Sequence, residues 1–312
     1  MMKRLGVLVN ANARRGRDVQ SRVDGLRRVL GDRGRVVTTH SLGELDTALD
    51  GFEAEGLDLL AVLGGDGTYY HLLGRLLSDS GRWPVPTLVP LGGGTINNLC
   101  RSLGVSRRAP HTLLKRALKT LGEQGPGRVE KLVTMRINGD THGFTVGAGM
   151  ARNFLDLYYQ SRSPGPASAL LLLARLFFSN LASGPLIGEV NRGFEASIEA
   201  DGLDLGRHDY NLLLASTISH VGMGVRPFWR ANSGENAVHL LAGNETPGAL
   251  LLRLHRFLLG LPSGMELMYD AAFDRLRVEF STPQSLMING ELLAPASELL
   301  VETGPTVACM VV

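Results

Sequence analysis

The sequence predicts two domains of different class. The first is an α/β domain, a parallel sheet with helices on both faces, and the second is a mostly antiparallel β-sandwich. Three observations support this prediction. The chain of 312 residues is about twice the length of a typical domain of ~150 residues. Strand and helix periods alternate over the first 125 residues, and short strands dominate afterwards. We therefore expect domains at 1–125 and 126–312, with the extreme C-terminus returning to the first domain as an alternative.

In the first half, short apolar runs alternate with segments whose apolar residues recur every three or four positions. The run 57–63 is almost continuously apolar, as expected of a parallel strand covered on both faces. The pattern predicts strands at 5–9, 35–39, 57–63 and 85–91, and helices at 18–30, 42–54, 68–77, 98–103 and 111–121.

In the second half, the pattern changes after a Gly-rich linker at 122–128. Residues 129–137 and 142–146 flank an Asn-Gly pair and predict a β-hairpin. Further strands are predicted at 193–200, 210–217, 237–242, 265–269, 275–280 and 285–288, with helices at 167–181 and 247–259.

Composition excludes several classes of protein. Apolar residues make up 44% and charged residues 20%, as in a soluble globular protein, which excludes disorder, collagen and coiled coil. Residues 1–128 hold 19 basic and 12 acidic residues, a net charge of +7, while the rest carries −5. The basic residues are scattered over predicted helices rather than clustered with aromatic residues. We therefore expect a polyphosphate ligand and no nucleic acid.

The apolar runs and the two cysteines predict a cytoplasmic protein. No signal-peptide core follows the first residues, and the most apolar run, 169–178, is too short to span a bilayer and contains Arg175. Cys100 and Cys309 lie far apart and form no metal-binding pattern, which predicts two unreactive thiols. The apolar stretch 170–178 is interpreted as a core helix, with a lipid-acyl pocket as the alternative.

The strongest motif is Gly64-Gly65-Asp66-Gly67-Thr68, which joins a buried strand to a helix. Glycines at the end of a strand let the backbone approach a ligand, and the first N–H groups of the next helix attract an anion. A carboxylate among such groups is unfavourable unless it meets a metal ion or accepts a proton. Asp66 is thus the candidate catalytic and metal-binding residue.

The next βα unit repeats this arrangement. Gly92-Gly93-Gly94-Thr95 follows a strand, and the two amides Asn97 and Asn98 open the next helix. Because the carboxyl ends of parallel strands lie at one edge of a sheet, the two loops predict a cradle for a polyphosphate. The first βα loop, from Asn10 to Gly16, adds basic residues there.

These motifs resemble the catalytic domain of the diacylglycerol kinase and sphingosine kinase family, including bacterial lipid kinases, and are more distantly similar to NAD kinases. The segment from Asn10 is similar to the family's Asn-Pro-x-x-Gly opening, and Asn289-Gly290-Glu291 is similar to its Asp-Gly-Glu motif. The resemblance covers nearly the whole chain. It implies ATP and Mg²⁺ as cofactors.

The resemblance and the glycine loops together imply a set of site residues. Asp66 and Glu291 are the implied catalytic carboxylates. The implied nucleotide-binding residues are Asn10, Thr39, Gly64, Gly65, Asp66, Gly67, Thr68, Gly92, Gly93, Gly94, Thr95, Asn97, Asn289 and Glu291.

The chain differs from the family pattern at four places. Ala11 replaces the proline of the opening segment, and Tyr69-Tyr70-His71 follows the first loop in place of an apolar residue, Asn and Glu. Asn289 replaces an aspartate by an amide that cannot act as a base. Ser233-Gly234-Glu235 stands where the family has an Asp-Gly segment near a structural magnesium site.

The leading hypothesis is a lipid kinase that transfers the γ-phosphoryl group of ATP to a hydroxyl of a diacylglycerol-like or sphingoid lipid. The expected partner is a lipid at a membrane surface, contacted peripherally and transiently, and a homodimer is left open. Two alternatives remain. One is a nucleotide-binding protein that has lost turnover, which Asn289 motivates. The other is a kinase for a soluble substrate such as NAD.

Overall fold

A computed structural model of the protein describes residues 4–13, 19–78, 84–94, 96–122, 127–160, 172, 185–206, 208–222, 224–232 and 237–312. Several predictions fall outside these residues: the helix at 167–181 except Leu172, the basic part of the first loop, Thr95, and the segment 233–235. The chain forms two compact units. Met1–Leu132 and Thr306–Val312 make the first, and Val133–Pro305 makes the second.

The first unit contains a parallel sheet of successive βα units. Its strand order is β2-β1-β3-β4, and the last residues of the chain extend the sheet by pairing Cys309 with Leu88. The strands are β1 Leu5–Asn10, β2 Gly34–Thr39, β3 Leu59–Gly64 and β4 Thr87–Gly93. The helices are α1 Val19–Leu30, α2 Leu42–Glu55, α3 Asp66–Leu77, α4 Asn98–Ser102 and α5 Pro110–Gly122, and a 3₁₀ turn covers Gly31–Arg33.

The centre of this sheet is covered on both faces. All six residues of β3 are buried, as the continuous apolar run predicts. On one face, Val7 and Ala61 pack with Leu26 of α1 and Leu114 of α5. On the other face, Phe52 of α2 packs so closely against β1 that a Cβ at Gly6 would lie 2.9 Å from its ring. The parallel α/β arrangement predicted for the first domain is confirmed.

The second unit is rich in antiparallel strands, as predicted. Strands β13-β12-β11-β7-β14 form a continuous antiparallel path, and β14 also pairs with β8 and β15. The strands are β5 Arg128–Ile137, which begins in the first unit, β6 Thr141–Gly143, β7 Thr145–Gly149, β8 Phe194–Ala200, β9 Leu203–Asp204, β10 Asp209–Tyr210, β11 Leu212–Ser216, β12 Val238–Gly243, β13 Met268–Phe273, β14 Arg275–Ile288 and β15 Glu291–Val311. The helices are α6 Met150–Tyr159, α7 Pro185–Val190, α8 Pro247–Leu252 and α9 Leu254–Leu259.

Some predicted elements differ from those observed. The strands predicted at 275–280 and 285–288 are one strand, β14, with irregular register between Glu279 and Met287. The helix predicted at 247–259 is two helices, α8 and α9, which meet at Arg253. Strand β15, with 21 residues, and helix α6 have no counterpart in the prediction.

Two findings bear on location and redox state. Among the helices that lie wholly within the described ranges, none combines the length and hydrophobicity required to span a membrane. Cys100 and Cys309 are both buried, and burial raises the pKa of each thiol to about 12. A thiol with so high a pKa is protonated at neutral pH, which agrees with two unreactive cysteines.

Candidate functional site

The candidate site of the first unit lies at the carboxyl ends of β1, β3 and β4. These strands are parallel neighbours, so the loops that follow them meet at one edge of the sheet. Helix α3 begins at Asp66 directly after β3, and its first N–H groups have no partner within the helix. The two glycine loops and Asn10 therefore lie at the same edge of the sheet, as predicted.

The two glycine loops pack against each other through their backbones. A Cβ on Gly65 would lie 3.0 Å from the Cα of Gly94, and a Cβ on Gly93 would lie 2.9 Å from the backbone nitrogen of Gly64. A Cβ on Gly64 would meet the Thr68 side chain at 2.6 Å. Gly65, Gly93 and Gly94 are thus required by packing between the loops, and Gly64 is required by packing against Thr68.

Gly92 differs from these glycines. Its φ is +72°, and a Cβ there would meet nothing within 4 Å. The left-handed backbone requires glycine at this position, and the space beside it is open. Of the described glycines in the two loops, Gly92 best fits the prediction of open access for a ligand.

Asn97 closes the second loop by a reciprocal pair of hydrogen bonds. Its Oδ1 accepts from the Gly94 N–H at 2.7 Å, and its Nδ2 donates to the Gly94 carbonyl at 2.7 Å. Asn97 has a φ of +55°, a left-handed conformation that asparagine tolerates better than most residues. Its side chain therefore shapes the loop, whatever it contributes to a ligand.

The Asp66 carboxylate connects the two loops. Its Oδ2 accepts the Asn98 N–H at 3.1 Å, and its Oδ1 accepts the Leu99 N–H at 3.3 Å. Burial raises the pKa of Asp66, and the two N–H groups and the charge of Arg101 counteract part of that rise. A carboxyl with a perturbed pKa at the carboxyl edge of a parallel sheet is a functional candidate.

Asn10 ties the first loop to helix α3. Its Nδ2 donates to Thr68 Oγ1 at 2.8 Å, while its Oδ1 accepts the Asn12 N–H at 2.9 Å. Thr39 lies at the end of β2, is buried, and its carbonyl accepts the Ala11 N–H. The predicted residues Asn10 and Thr68 are thus in direct contact, and Thr39 supports the first loop.

The remaining two predicted residues, Asn289 and Glu291, lie in the second unit. Asn289 and Gly290 have φ values of +49° and +90° and connect Ile288 to its strand partner Glu291. Two left-handed residues between paired strands make a type I′ hairpin turn, for which Asn-Gly is the preferred sequence. The Asn-Gly-Glu motif is therefore also the turn between β14 and β15.

The Asn289 side chain is buried and forms hydrogen bonds through its oxygen. Its Oδ1 accepts the N–H groups of Phe144 at 2.8 Å and Thr145 at 3.0 Å. Its Nδ2 is buried and has no hydrogen-bond partner among the described residues. Such a group costs about 1–3 kcal/mol when unsatisfied. Asn289 therefore holds the backbone at the start of β7 through its oxygen, and the two N–H donors of its amide nitrogen are unused among the described residues.

Asp66 offers donor atoms that suit a magnesium ion bound together with a nucleotide. Mg²⁺ is commonly held by one or two carboxylates plus phosphate oxygens and water. Asp66 accepts one N–H on each oxygen and keeps further lone pairs for an ion. Within the described ranges, no three His, Cys, Asp or Glu side chains gather into a metal site. Asp66 thus fits an ion that a nucleotide brings with it.

Sequence reasoning gave less weight to two residues that the structure brings into the site. Asn98 supplies an N–H to Asp66, and its own Oδ1 is buried with no hydrogen-bond partner in the described part of the chain. Asn12 is not among the predicted nucleotide-binding residues, yet its Nδ2 donates to the His40 carbonyl at 2.9 Å. In the sequence, the only indication for both is their position. Asn98 directly follows the predicted residue Asn97, and Asn12 lies two residues after the predicted residue Asn10.

Comparisons with known proteins agree with this architecture. Residues 4–128 match the family model described as the diacylglycerol kinase catalytic domain. No curated protein matches the chain.

Solved structures resemble nearly the entire chain. A diacylglycerol kinase from Bacillus anthracis is 16% identical, with a TM-score of 0.68 over 99% of this chain and 97% of that one. A second protein from the same organism, assigned as a diacylglycerol kinase, is 16% identical with a TM-score of 0.74 over the same shares. Yeast NADH kinase complexed with NADH is 11% identical, with a TM-score of 0.51 over 100% of this chain and 84% of that one.

The resemblance inferred from the glycine loops is confirmed. The sequence match covers the first unit's βα segment, whereas the fold similarity extends over both units at an identity too low to carry function. Residues 4–128 match the diacylglycerol kinase catalytic domain, and the chain as a whole has the fold of the bacterial diacylglycerol kinase structures.

Proposed function

We propose that the protein is an ATP-dependent lipid kinase that transfers the γ-phosphoryl group to a hydroxyl of a diacylglycerol-like or sphingoid lipid. One observation carries the proposal: Asp66 bridges two packed glycine loops at the carboxyl edge of a parallel sheet. This edge lies within the segment that matches the diacylglycerol kinase catalytic domain. Open α/β sheets bind their ligands at such an edge.

The first unit would hold the nucleotide. The N–H groups at the start of α3, at Asp66 and Gly67, are placed to receive phosphate oxygens. The open space beside Gly92 leaves room for a ligand near the second loop. Mg²⁺, when bound with ATP, would neutralise charge on the phosphate oxygens. Phosphoryl transfer depends mainly on such positioning and charge neutralisation.

Asp66 would carry the catalytic role. Its carboxylate is held in one orientation by the Asn98 and Leu99 N–H groups, which would limit the reorganisation needed when a metal ion or an acceptor hydroxyl binds. Glu291 is proposed as the second carboxylate, because Asn289-Gly290-Glu291 resembles the Asp-Gly-Glu motif of the family. Asn289 cannot accept a proton at neutral pH, so proton acceptance falls to the two carboxylates.

A second candidate is a kinase for a soluble dinucleotide, which the structural similarity to yeast NADH kinase favours. The lipid proposal is preferred because the sequence match is to the diacylglycerol kinase catalytic domain and the higher TM-scores are to bacterial diacylglycerol kinase structures. A nucleotide-binding protein without turnover is the third candidate. It is favoured by the structural use of Asn289 Oδ1, which two backbone N–H groups occupy.

Incubation with γ-labelled ATP, Mg²⁺ and a total lipid extract separates the three candidates. Label in a chloroform-soluble product supports the lipid kinase, provided that Asp66→Asn abolishes it. Label transferred to added NAD or NADH supports the second candidate. Binding of ATP measured by calorimetry without any labelled product supports the third and contradicts the proposed function.

A further inference from the structure

The connection between β12 and β13 exposes an unusual amount of apolar surface. Residues 244–267 leave the sheet after Gly243 and return at Met268, and these two residues are register partners. Within the parts of the chain that are described, ten large apolar side chains are exposed, and five of them lie here. We call this connection the leucine segment. Its exposed members are Leu252, Leu258, Leu259, Leu261 and Leu267.

These side chains are exposed on an ordered backbone. Thr246 caps α8 by accepting the Ala249 N–H at 3.1 Å. Gly260, with a φ of +67°, ends α9, and the Leu261 N–H then donates to the Arg256 carbonyl. Phe257 is buried and anchors α9. The exposure of Leu252, at 79%, is therefore a property of the folded segment.

Three arginines lie on or beside the leucine segment. The Arg256 Nε donates to the Pro262 carbonyl at 2.7 Å, which fixes that side chain on the segment. The Arg226 guanidinium lies beside Gly260, since a Cβ there would be 3.6 Å from its Nε. Arg253 is exposed between the two helices. Glu266 is the exposed acidic residue of the segment, and Glu245 is buried.

We propose that the leucine segment docks the protein onto an anionic lipid bilayer. Short helices with exposed leucines and flanking arginines can lie in the membrane interface, where apolar side chains enter the acyl boundary and cations meet anionic headgroups. An anionic bilayer complements both features. A second copy of the chain would bring arginines against arginines in a symmetric contact, so it complements the leucines alone.

The inference deepens the proposed function and rests on it for the choice of a lipid surface. Bilayer binding itself requires neither ATP nor turnover. Sedimentation with vesicles can therefore be performed without nucleotide, so docking and phosphoryl transfer are measured separately.

The decisive experiment compares two double variants. Leu252→Gln with Leu259→Gln removes the two most exposed leucines of the segment. Leu42→Gln with Leu203→Gln is the matched control, because these leucines are also exposed, at 54% and 61%, and lie elsewhere. Vesicles of phosphatidylcholine with and without phosphatidylglycerol serve as the probe. We expect the first pair to lower the partition coefficient on phosphatidylglycerol vesicles at least about tenfold, and the control to leave it unchanged.

A charge variant tests the second half of the proposal. Arg226→Gln with Arg253→Gln should reduce the preference for phosphatidylglycerol and the sensitivity of binding to salt, because fewer headgroup charges are contacted. Thermal unfolding of every variant checks that the fold is retained.

Three outcomes would overturn the inference: wild-type protein that ignores phosphatidylglycerol vesicles, leucine variants that bind as well as wild type, or a solution dimer, detected by light scattering, that the same leucine variants dissociate. Vesicle binding that persists in a protein without phosphotransferase activity would contradict the proposed function and support the docking surface.

Discussion

Gly65 and Gly94 touch backbone to backbone, with the position of a Cβ on Gly65 only 3.0 Å from the Gly94 Cα. The contact joins the loop after β3 to the loop after β4. Any side chain on either residue must separate the two loops, because backbone atoms cannot swing away as a flexible side chain does. The spacing between the loops is therefore set by the absence of side chains at this contact.

Gly65→Ala should accordingly lower both the Tm and the affinity for ATP. Gly65 has a φ of −98°, which alanine can adopt, so the effect would come from the contact with Gly94. Gly74→Ala is the control, since a Cβ there meets nothing within 4 Å and alanine in a helix adds about 0.5–1 kcal/mol of stability. Thermal unfolding and calorimetry measure the two effects. Equal behaviour of the two variants would contradict the packing argument.

Asp66→Asn should separate the chemical role of the carboxylate from its structural role. Asparagine keeps one oxygen for the backbone N–H groups of the second loop but loses the charge. We expect kcat to fall by about 10²–10⁴. The Tm should fall less than in Asp66→Ala, because the amide nitrogen replaces only one of the two accepting oxygens. Asp66→Ala loses both hydrogen bonds, so it should also reduce stability by about 1–3 kcal/mol. An Asp66→Asn enzyme with normal turnover would refute the assigned role.

The pH dependence of activity should reflect the raised pKa of Asp66. If the ionised carboxylate is required, activity is present above the pKa and is lost as the pH falls through it. Because burial raises this pKa, the acidic limb should lie above the usual range of an aspartate. Arg101 lowers the pKa, so Arg101→Gln should move the limb to higher pH. Arg108→Gln, which removes the same charge at an exposed site, should leave the limb in place.

Asn289→Asp should be tolerated by the fold. Aspartate retains acceptors for the Phe144 and Thr145 N–H groups and removes the buried, unpartnered Nδ2. A carboxylate that accepts backbone N–H groups is stabilised in its charged form. We expect an unchanged or raised Tm at neutral pH and unchanged or raised activity. Asn289→Leu should destabilise by about 1–3 kcal/mol, because two N–H groups lose their acceptor. If the Tm of Asn289→Asp is as low as that of Asn289→Leu, the site does not tolerate a carboxylate and the prediction is wrong.

Asp270 should make the second unit sensitive to acid. Burial alone would raise the pKa of Asp270, but hydrogen bonds from His239, Ser263 and Trp229 outweigh it and lower the pKa to about 2. A depressed carboxyl pKa contributes stability above the unfolded pKa of about 3.9, and that stability is lost as the pH falls towards 2. After allowance for solvent screening, the contribution is about 1–2 kcal/mol.

Denaturant unfolding at neutral pH and near pH 3 tests this contribution. Asp270→Asn should be less stable than wild type at neutral pH and should show a shallower loss of stability in acid. Asp140→Asn, at an exposed turn, is the control. Parallel acid curves for wild type and Asp270→Asn would contradict the assignment.

The glycine loops lie at the ends of β3 and β4, as the sequence predicts, but the sequence indicates only part of the physical reason for their glycines. Glycine-rich strand ends indicate close backbone approach, yet a sequence does not say whether the approaching group is a ligand or another loop. Gly92 has open space beside it that could take a ligand, whereas Gly65 and Gly94 pack against each other. The link from Asp66 to the Asn98 N–H spans 32 residues, and no local pattern reveals it.

The second unit was harder to predict for identifiable reasons. Pro295 and Pro305 lie within β15, and a proline normally argues against a central strand. Pro295 pairs opposite Ser285, next to an irregularity in the register that accommodates it. The Asn-Gly pair at 138–139 was interpreted as a hairpin turn, but the same pair at 289–290 was interpreted as a catalytic motif. The strand partners Ile288 and Glu291 show that it is a turn as well.

Strand β15 has a consequence for the order in which the protein is made. The parallel strands β1 to β4 of the first unit end by Gly93, yet Cys309 pairs with Leu88 of β4. A ribosome must therefore synthesise the whole second unit before β4 can acquire this neighbour. During that interval β4 presents an unsatisfied edge, a template for aberrant pairing with other chains. The nascent first unit is thus most vulnerable to aggregation before residues 306–312 emerge.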